Sequence, residues 1–110
     1  MRYVQIDTTS DPNSSSFPSS AKQRNLALVL FEELKALGLQ DVEIDDWSYV
    51  FATIPSNVAQ SLPTICFCSH MDTAPDCSGT NVKPILHSKY TGAPIILPDD
   101  PTQVLRTEEH

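Results

Sequence analysis

Closely spaced prolines and glycines rule out a long helix or strand over the C-terminal part of this chain. After His70 they recur every few residues, at Pro75, Gly79, Pro84, Gly92, Pro94, Pro98 and Pro101. Proline removes a backbone hydrogen-bond donor, and both residue types favour turns and loops. We therefore predict that this part of the chain is mostly loop, with one short strand over residues 95–97.

One segment has the pattern of an amphipathic helix. Its leucines recur at helical spacing, at Leu26, Leu30, Leu34 and Leu37. Ser20, followed three residues later by Gln23, is typical of a capping box, and Gly38 is a suitable residue just past the end of a helix. The pattern predicts a helix over residues 21–37.

Strand-forming residues follow this helix. Val42 and Ile44 alternate with acids, residues 49–54 are rich in β-branched and aromatic side chains, and residues 45–48 between them favour a turn. This predicts a β-hairpin. Residues 64–68 are wholly apolar, as in a strand buried on both faces at the centre of a sheet. The predicted fold class is α/β, with the helix packed on part of a mixed β-sheet.

The charge balance limits the classes of partner. The 110 residues include 14 Asp and Glu against 7 Lys and Arg, which gives a net charge of −7 and fits a single domain. Such a chain repels phosphate backbones and anionic lipid headgroups, and no apolar run is long enough to span a membrane. We therefore expect neither nucleic acid nor a membrane as a partner.

The cysteines and the N-terminus indicate the compartment. The chain has three cysteines, Cys66, Cys68 and Cys77, and an odd number cannot all form disulfides within one chain. The first two would point to opposite faces of a strand. Residues 1–7 already contain an acid and have neither the apolar run nor the cleavage site of a signal peptide. These features predict a reducing, cytoplasmic compartment.

Residues that could bind a metal ion come directly after the predicted buried strand, in the segment 69–73. His70 and Asp72 would lie on the same side of an extended chain. A neutral imidazole is a good zinc ligand, and a neighbouring carboxylate can fix its tautomer and raise its basicity. The spacing alone also fits a histidine at a strand end, paired with an aspartate that caps a turn.

A longer string, residues 69–84, resembles the bacterial tripeptide aminopeptidases of the co-catalytic di-zinc peptidase and deacylase family. The resemblance extends over nearly the whole chain, through residues 3–8, 33–39, 52–58, 90–92, 95–97 and 104–105. It implies that residues 1–105 are the N-terminal portion of a zinc-peptidase catalytic domain and that residues 106–110 are a divergent tail.

The resemblance also implies roles for three residues and for a cofactor. His70 would be a zinc ligand, Asp72 the catalytic aspartate that supports the metal site, and Asp76 a contact for the free amino group of a short peptide. An aspartate at position 76, shortly before Ser78 and Gly79, also fits a purely local turn. The complete family protein holds two zinc ions and forms a homodimer, and its other ligands and its general base have no counterpart here. The alternative is a truncated, catalytically inactive α/β fragment or interaction module, because one ligand cannot hold a catalytic zinc.

Overall fold

The computed structural model describes residues 1–109, so His110, the last residue of the predicted tail, lies outside the described residues. In chain order the elements are a 3-10 helix at Tyr3–Gln5, α1 at Gln23–Ala36, β1 at Gln40–Ile44, β2 at Val50–Thr53, β3 at Ile95–Ile96, β4 at Val104–Leu105 and a 3-10 helix at Thr107–Glu109. The α/β class is confirmed: α1 packs on the antiparallel sheet of β1 and β2, and β3 and β4 form a second antiparallel pair.

The predicted helix is confirmed as α1, which begins two residues later than expected. Gly38 follows its end with a φ of 76°, a left-handed conformation that glycine adopts without a steric penalty. The predicted capping box is wrong, because the Ser20 hydroxyl donates to the carbonyl of Thr9 at 2.8 Å instead of binding the helix. The N-cap position is Lys22, which makes no side-chain cap.

The predicted hairpin is confirmed as the antiparallel pair β1 and β2. Its turn is organised by the Asp45 carboxylate, which accepts hydrogen bonds from the backbone amides of Trp47 at 3.0 Å and Tyr49 at 2.8 Å. Arg24 of α1 donates to the Asp45 carbonyl at 3.0 Å and to the Ser48 hydroxyl at 3.3 Å. These bonds connect the helix to the turn.

The prediction of a buried central strand at residues 64–68 is wrong for this chain. These residues form no strand pairing within the part of the chain that the structure describes. Ile65 is 76% exposed and Phe67 93% exposed, and the sulfur-bearing residues Cys66 and Cys68 are exposed as well. A strand buried on both faces needs neighbouring strands and covering layers. Among the described residues β1 pairs with β2 and β3 pairs with β4, so none of these strands pairs with residues 64–68.

The N-terminal segment is fastened to α1. The Tyr3 hydroxyl donates to Glu33, and Arg2 forms an ion pair with the same carboxylate. Leu26 and Ala27 of α1 are the buried apolar residues among residues 1–109. No helix within that range has the length and apolar character needed to cross a bilayer.

Candidate functional site

The structure brings His70 and Asp72 together. The His70 Nδ1 lies 3.1 Å from the Asp72 Oδ1 and 2.9 Å from the Asp72 carbonyl oxygen. A carbonyl oxygen can only accept a hydrogen bond, so Nδ1 carries the proton in the neutral ring and the lone pair is on Nε2. The His70 side chain is 83% exposed, which leaves this nitrogen open to a ligand. Asp72 thus orients the ring in the way that carboxylates orient metal-binding histidines.

A cavity of about 350 Å³ opens beside this histidine. Its lining includes residues 69–72, Phe17, and Trp47 and Tyr49 of the hairpin turn. No sequence pattern links the turn to His70, because the two are brought together only by packing. Sequence reasoning therefore missed the three aromatic residues that line the same cavity as His70.

Asp76 does not line the cavity of His70. It lines a second cavity of about 550 Å³, together with Met71, Thr73 and residues of the N-terminal 3-10 helix. Met71 lines both cavities, so they are adjacent. The Asp76 carboxylate is exposed and is therefore open to solvent in this second cavity.

A carboxylate that sequence reasoning did not single out organises the loop after the motif. Asp7 Oδ1 accepts hydrogen bonds from the Thr9 amide at 3.0 Å and the Thr9 hydroxyl at 2.7 Å. Asp7 Oδ2 accepts from the Lys22 ammonium at 3.0 Å and the Thr80 hydroxyl at 2.8 Å. An aspartate two residues before a threonine is a recognisable turn pattern, but only the fold reveals the contact with Thr80.

These donors hold the pKa of the Asp7 carboxyl well below its ordinary value of 3.8, because each of them stabilises the ionised form. The hydroxyl and amide of Thr9 have the largest effect, followed by Lys22 and Thr80. The resulting stability is fully present above the ordinary pKa and is lost as the pH falls towards the lower, folded-state value.

We therefore predict that Asp7→Asn lowers the melting temperature at neutral pH, and that the difference from the unmodified chain shrinks as the pH falls from about 5 to about 2. Circular dichroism melts at several pH values measure this difference. Asp11→Asn is the matched control, since the Asp11 carboxylate accepts a local bond from the Asn13 amide at 2.9 Å. A difference that stays constant over this pH range would contradict the prediction.

The candidate metal donors are incomplete in the described chain. Among residues 1–109, no three His, Cys, Asp or Glu side chains lie close enough together to hold a metal ion. His70, with Asp72 behind it, has the chemistry of one zinc ligand and its supporting carboxylate. A catalytic zinc needs three protein donors, so these residues fit part of a zinc site.

No family model matches this chain. Its sequence is similar to that of curated proteins named peptidase T. The one from Geobacillus sp. (strain WCH70) is 52% identical over 96 residues, which is 87% of this chain and 23% of the relative. The one from Exiguobacterium sp. is 50% identical over 109 residues, 99% of this chain and 26% of the relative. The one from Clostridium botulinum is 46% identical over 107 residues, 97% of this chain and 26% of the relative.

The chain thus spans about a quarter of the length of the curated relatives it matches. The resemblance that residues 69–84 predicted is confirmed by these matches, which extend over nearly the whole chain. The sequence is therefore similar to a portion of these peptidase T proteins.

Proposed function

We propose that this chain is the N-terminal portion of a zinc-dependent aminopeptidase similar to peptidase T, which releases N-terminal residues from tripeptides and other short peptides. The observation that carries the proposal is the 50% identity over 109 residues to a protein of that name. In this proposal residues 1–105 belong to the catalytic domain and residues 106–110 form a divergent tail. Because all three cysteines are unpaired, we place the protein in the reducing cytoplasm.

His70 and Asp72 have distinct roles in this proposal. His70 offers Nε2 as a zinc ligand, because its Nδ1 is occupied by Asp72. Asp72 is the catalytic aspartate, and it keeps the ring in one tautomer and raises the basicity of the ligating nitrogen. The exposure of the ring makes this nitrogen accessible to a metal ion.

Two zinc ions, when bound, supply Lewis acidity that lowers the pKa of a water and polarises the scissile carbonyl. The described residues offer one zinc donor, so the other ligands and the general base would be supplied by the rest of a longer protein. Phe17, Trp47 and Tyr49 line the cavity beside His70, where they offer apolar contact surface to the side chains of a short peptide.

Asp76 is proposed to bind the substrate. An exposed carboxylate in the cavity adjacent to that of His70 is suited to the protonated amino group of a short peptide. The free amino terminus distinguishes an aminopeptidase substrate from an internal peptide bond. By the same resemblance, the complete protein is proposed to act as a homodimer.

The proposal predicts activity only when the missing donors are restored. We expect no tripeptide hydrolysis by this chain alone with zinc added, since three donors are required for a catalytic zinc. Fusion of this chain to the remaining three quarters of the Geobacillus relative, about the share that it does not span, should restore hydrolysis. Release of the N-terminal amino acid, followed by chromatography, measures both.

Two controls make this experiment decisive. A chelator should abolish hydrolysis by the fusion, and an N-acetylated tripeptide should not be cleaved. Hydrolysis by this chain alone would show that the donor argument is wrong. A folded, zinc-loaded fusion that does not cleave tripeptides would refute the proposed function.

A further inference from the structure

We infer that Asp7 is a positioning residue for the candidate site, since its carboxylate holds the loop at residues 73–80 against the start of α1. This loop directly follows His70 and Asp72 and contains Asp76. The inference rests on the proposed function for its catalytic meaning. The physical link between Asp7 and the loop can be tested without any activity.

The loop is fastened at both ends to the N-terminal segment. At its beginning, the Thr73 amide donates to the Thr8 carbonyl at 3.2 Å, and the Thr73 carbonyl accepts from the Ser10 amide at 3.0 Å. At its end, the Thr80 hydroxyl donates to Asp7 at 2.8 Å. Asp76 lies between these two attachments, so its place depends on both.

The Asp7 carboxylate accepts about as many hydrogen bonds as a carboxylate can. It accepts four hydrogen bonds, two from Thr9, one from Lys22 and one from Thr80, which is about the capacity of a carboxylate. Lys22 immediately precedes α1, so this carboxylate joins the N-terminal segment, the helix and the loop. A purely local turn would need only the bonds with Thr9, whereas Thr80 is 73 residues away.

Gly79 shows how closely the loop approaches this carboxylate. A Cβ atom at this position would lie 2.7 Å from the Thr9 hydroxyl oxygen and 3.1 Å from the Asp7 Oδ1. A contact of 2.7 Å requires either the loop or the Thr9 side chain to shift, so glycine is the residue that fits with both in the observed place. The close approach depends on Thr9 being turned towards Asp7, which the Asp7 carboxylate itself ensures.

The loop affects the orientation of the His70 ring through the backbone at Thr73. Its amide nitrogen is bonded to the Asp72 carbonyl carbon, and the oxygen of that carbonyl accepts the His70 Nδ1 hydrogen bond at 2.9 Å. A Thr73 that is held in place therefore fixes the peptide plane that orients the imidazole. Release of the loop should loosen the ring as well as the loop.

The test is Asp7→Asn in the intact chain. An asparagine keeps the size, but its amide nitrogen donates, so the Lys22 and Thr80 donors lose an acceptor. We expect hydrogen exchange at the Thr73 amide to become at least about tenfold faster while the amides of α1 stay protected. We also expect the ring nitrogen shifts of His70, measured by NMR at fixed pH, to move towards those of a free imidazole, with His87 unchanged as the internal reference.

Two further variants keep the test decisive. Asp11→Asn alters a carboxylate of the same segment whose bond is local, and it should leave Thr73 and His70 unchanged. If Asp7→Asn unfolds α1, the Thr80→Val variant tests the inference instead. It removes only the hydroxyl bond to Asp7 and should release the loop with the helix intact.

The inference is overturned by a Thr73 exchange rate within about twofold of the unmodified chain, together with unchanged His70 shifts, in the variant that retains α1. Neither measurement uses peptide hydrolysis. Failure of this inference and failure of the proposed function are therefore separate results.

Discussion

His70→Ala is expected to remove one metal position and with it tripeptide hydrolysis, when it is introduced into the fusion of this chain with the rest of the Geobacillus relative. The methyl group of alanine cannot replace the lone pair of the imidazole, and the remaining donors at that position are too few to hold zinc. Zinc per chain, measured by elemental analysis, and the rate of N-terminal residue release report the two losses.

Asp72→Asn is expected to act differently at the same place. The shape is kept, but the negative charge that raises the basicity of the ring is lost. Loss of such a supporting group typically costs about 10- to 100-fold in metal affinity or activity. Turnover should therefore fall strongly while most of the zinc remains bound at saturating concentration.

The order of these effects tests the assigned roles. His87→Ala, which replaces an exposed loop histidine, is the matched control and should change neither zinc content nor turnover. If His70→Ala and Asp72→Asn both keep two zinc ions and near-normal turnover, residues 70–72 only cap a turn and the site assignment is wrong.

Self-association of this chain through residues 64–68 is the second large expected effect. Ile65 is largely exposed and Phe67 almost fully exposed, and the backbone around them has no strand partner among residues 1–109. An exposed apolar segment with unpaired backbone groups favours pairing with another copy. Sedimentation velocity at micromolar concentration should detect species larger than the monomer.

Phe67→Lys should shift this equilibrium strongly towards the monomer without a loss of stability, because the side chain is 93% exposed and packs against little. Leu37→Lys is the matched control, since it changes the charge equally at a leucine that is 74% exposed and lies outside the segment. A sharp two-state melt from a monomer in the unmodified chain would contradict the prediction.

The elements that sequence reasoning placed correctly are those formed by neighbouring residues. The leucine spacing and Gly38 define α1, and the Asp45 carboxylate closes the hairpin turn within four residues. The pairing of His70 with Asp72 spans two residues, so a motif was enough to predict their proximity. The interactions that form each of these features all lie within a short stretch of chain.

The errors concern features that depend on distant partners. The segment 64–68 has the composition of a buried strand, but a strand forms only where other strands accept its backbone hydrogen bonds. The prediction of a capping box was wrong for a related reason, because the Ser20 hydroxyl donates to the carbonyl of Thr9, which lies outside the helix. Composition describes what a segment prefers and not which neighbours it obtains.

By itself, then, the sequence determined the helix, the hairpin, the proline-limited loops, the His70 and Asp72 pair and the likeness to peptidase T. Only the tertiary structure decided that the hairpin turn lines the same cavity as His70, that Asp76 lies in a separate cavity and that Asp7 binds Thr80. The physical reason is that contacts between distant residues are selected by the packing of whole elements, whereas helix periodicity and turn chemistry act within a few residues.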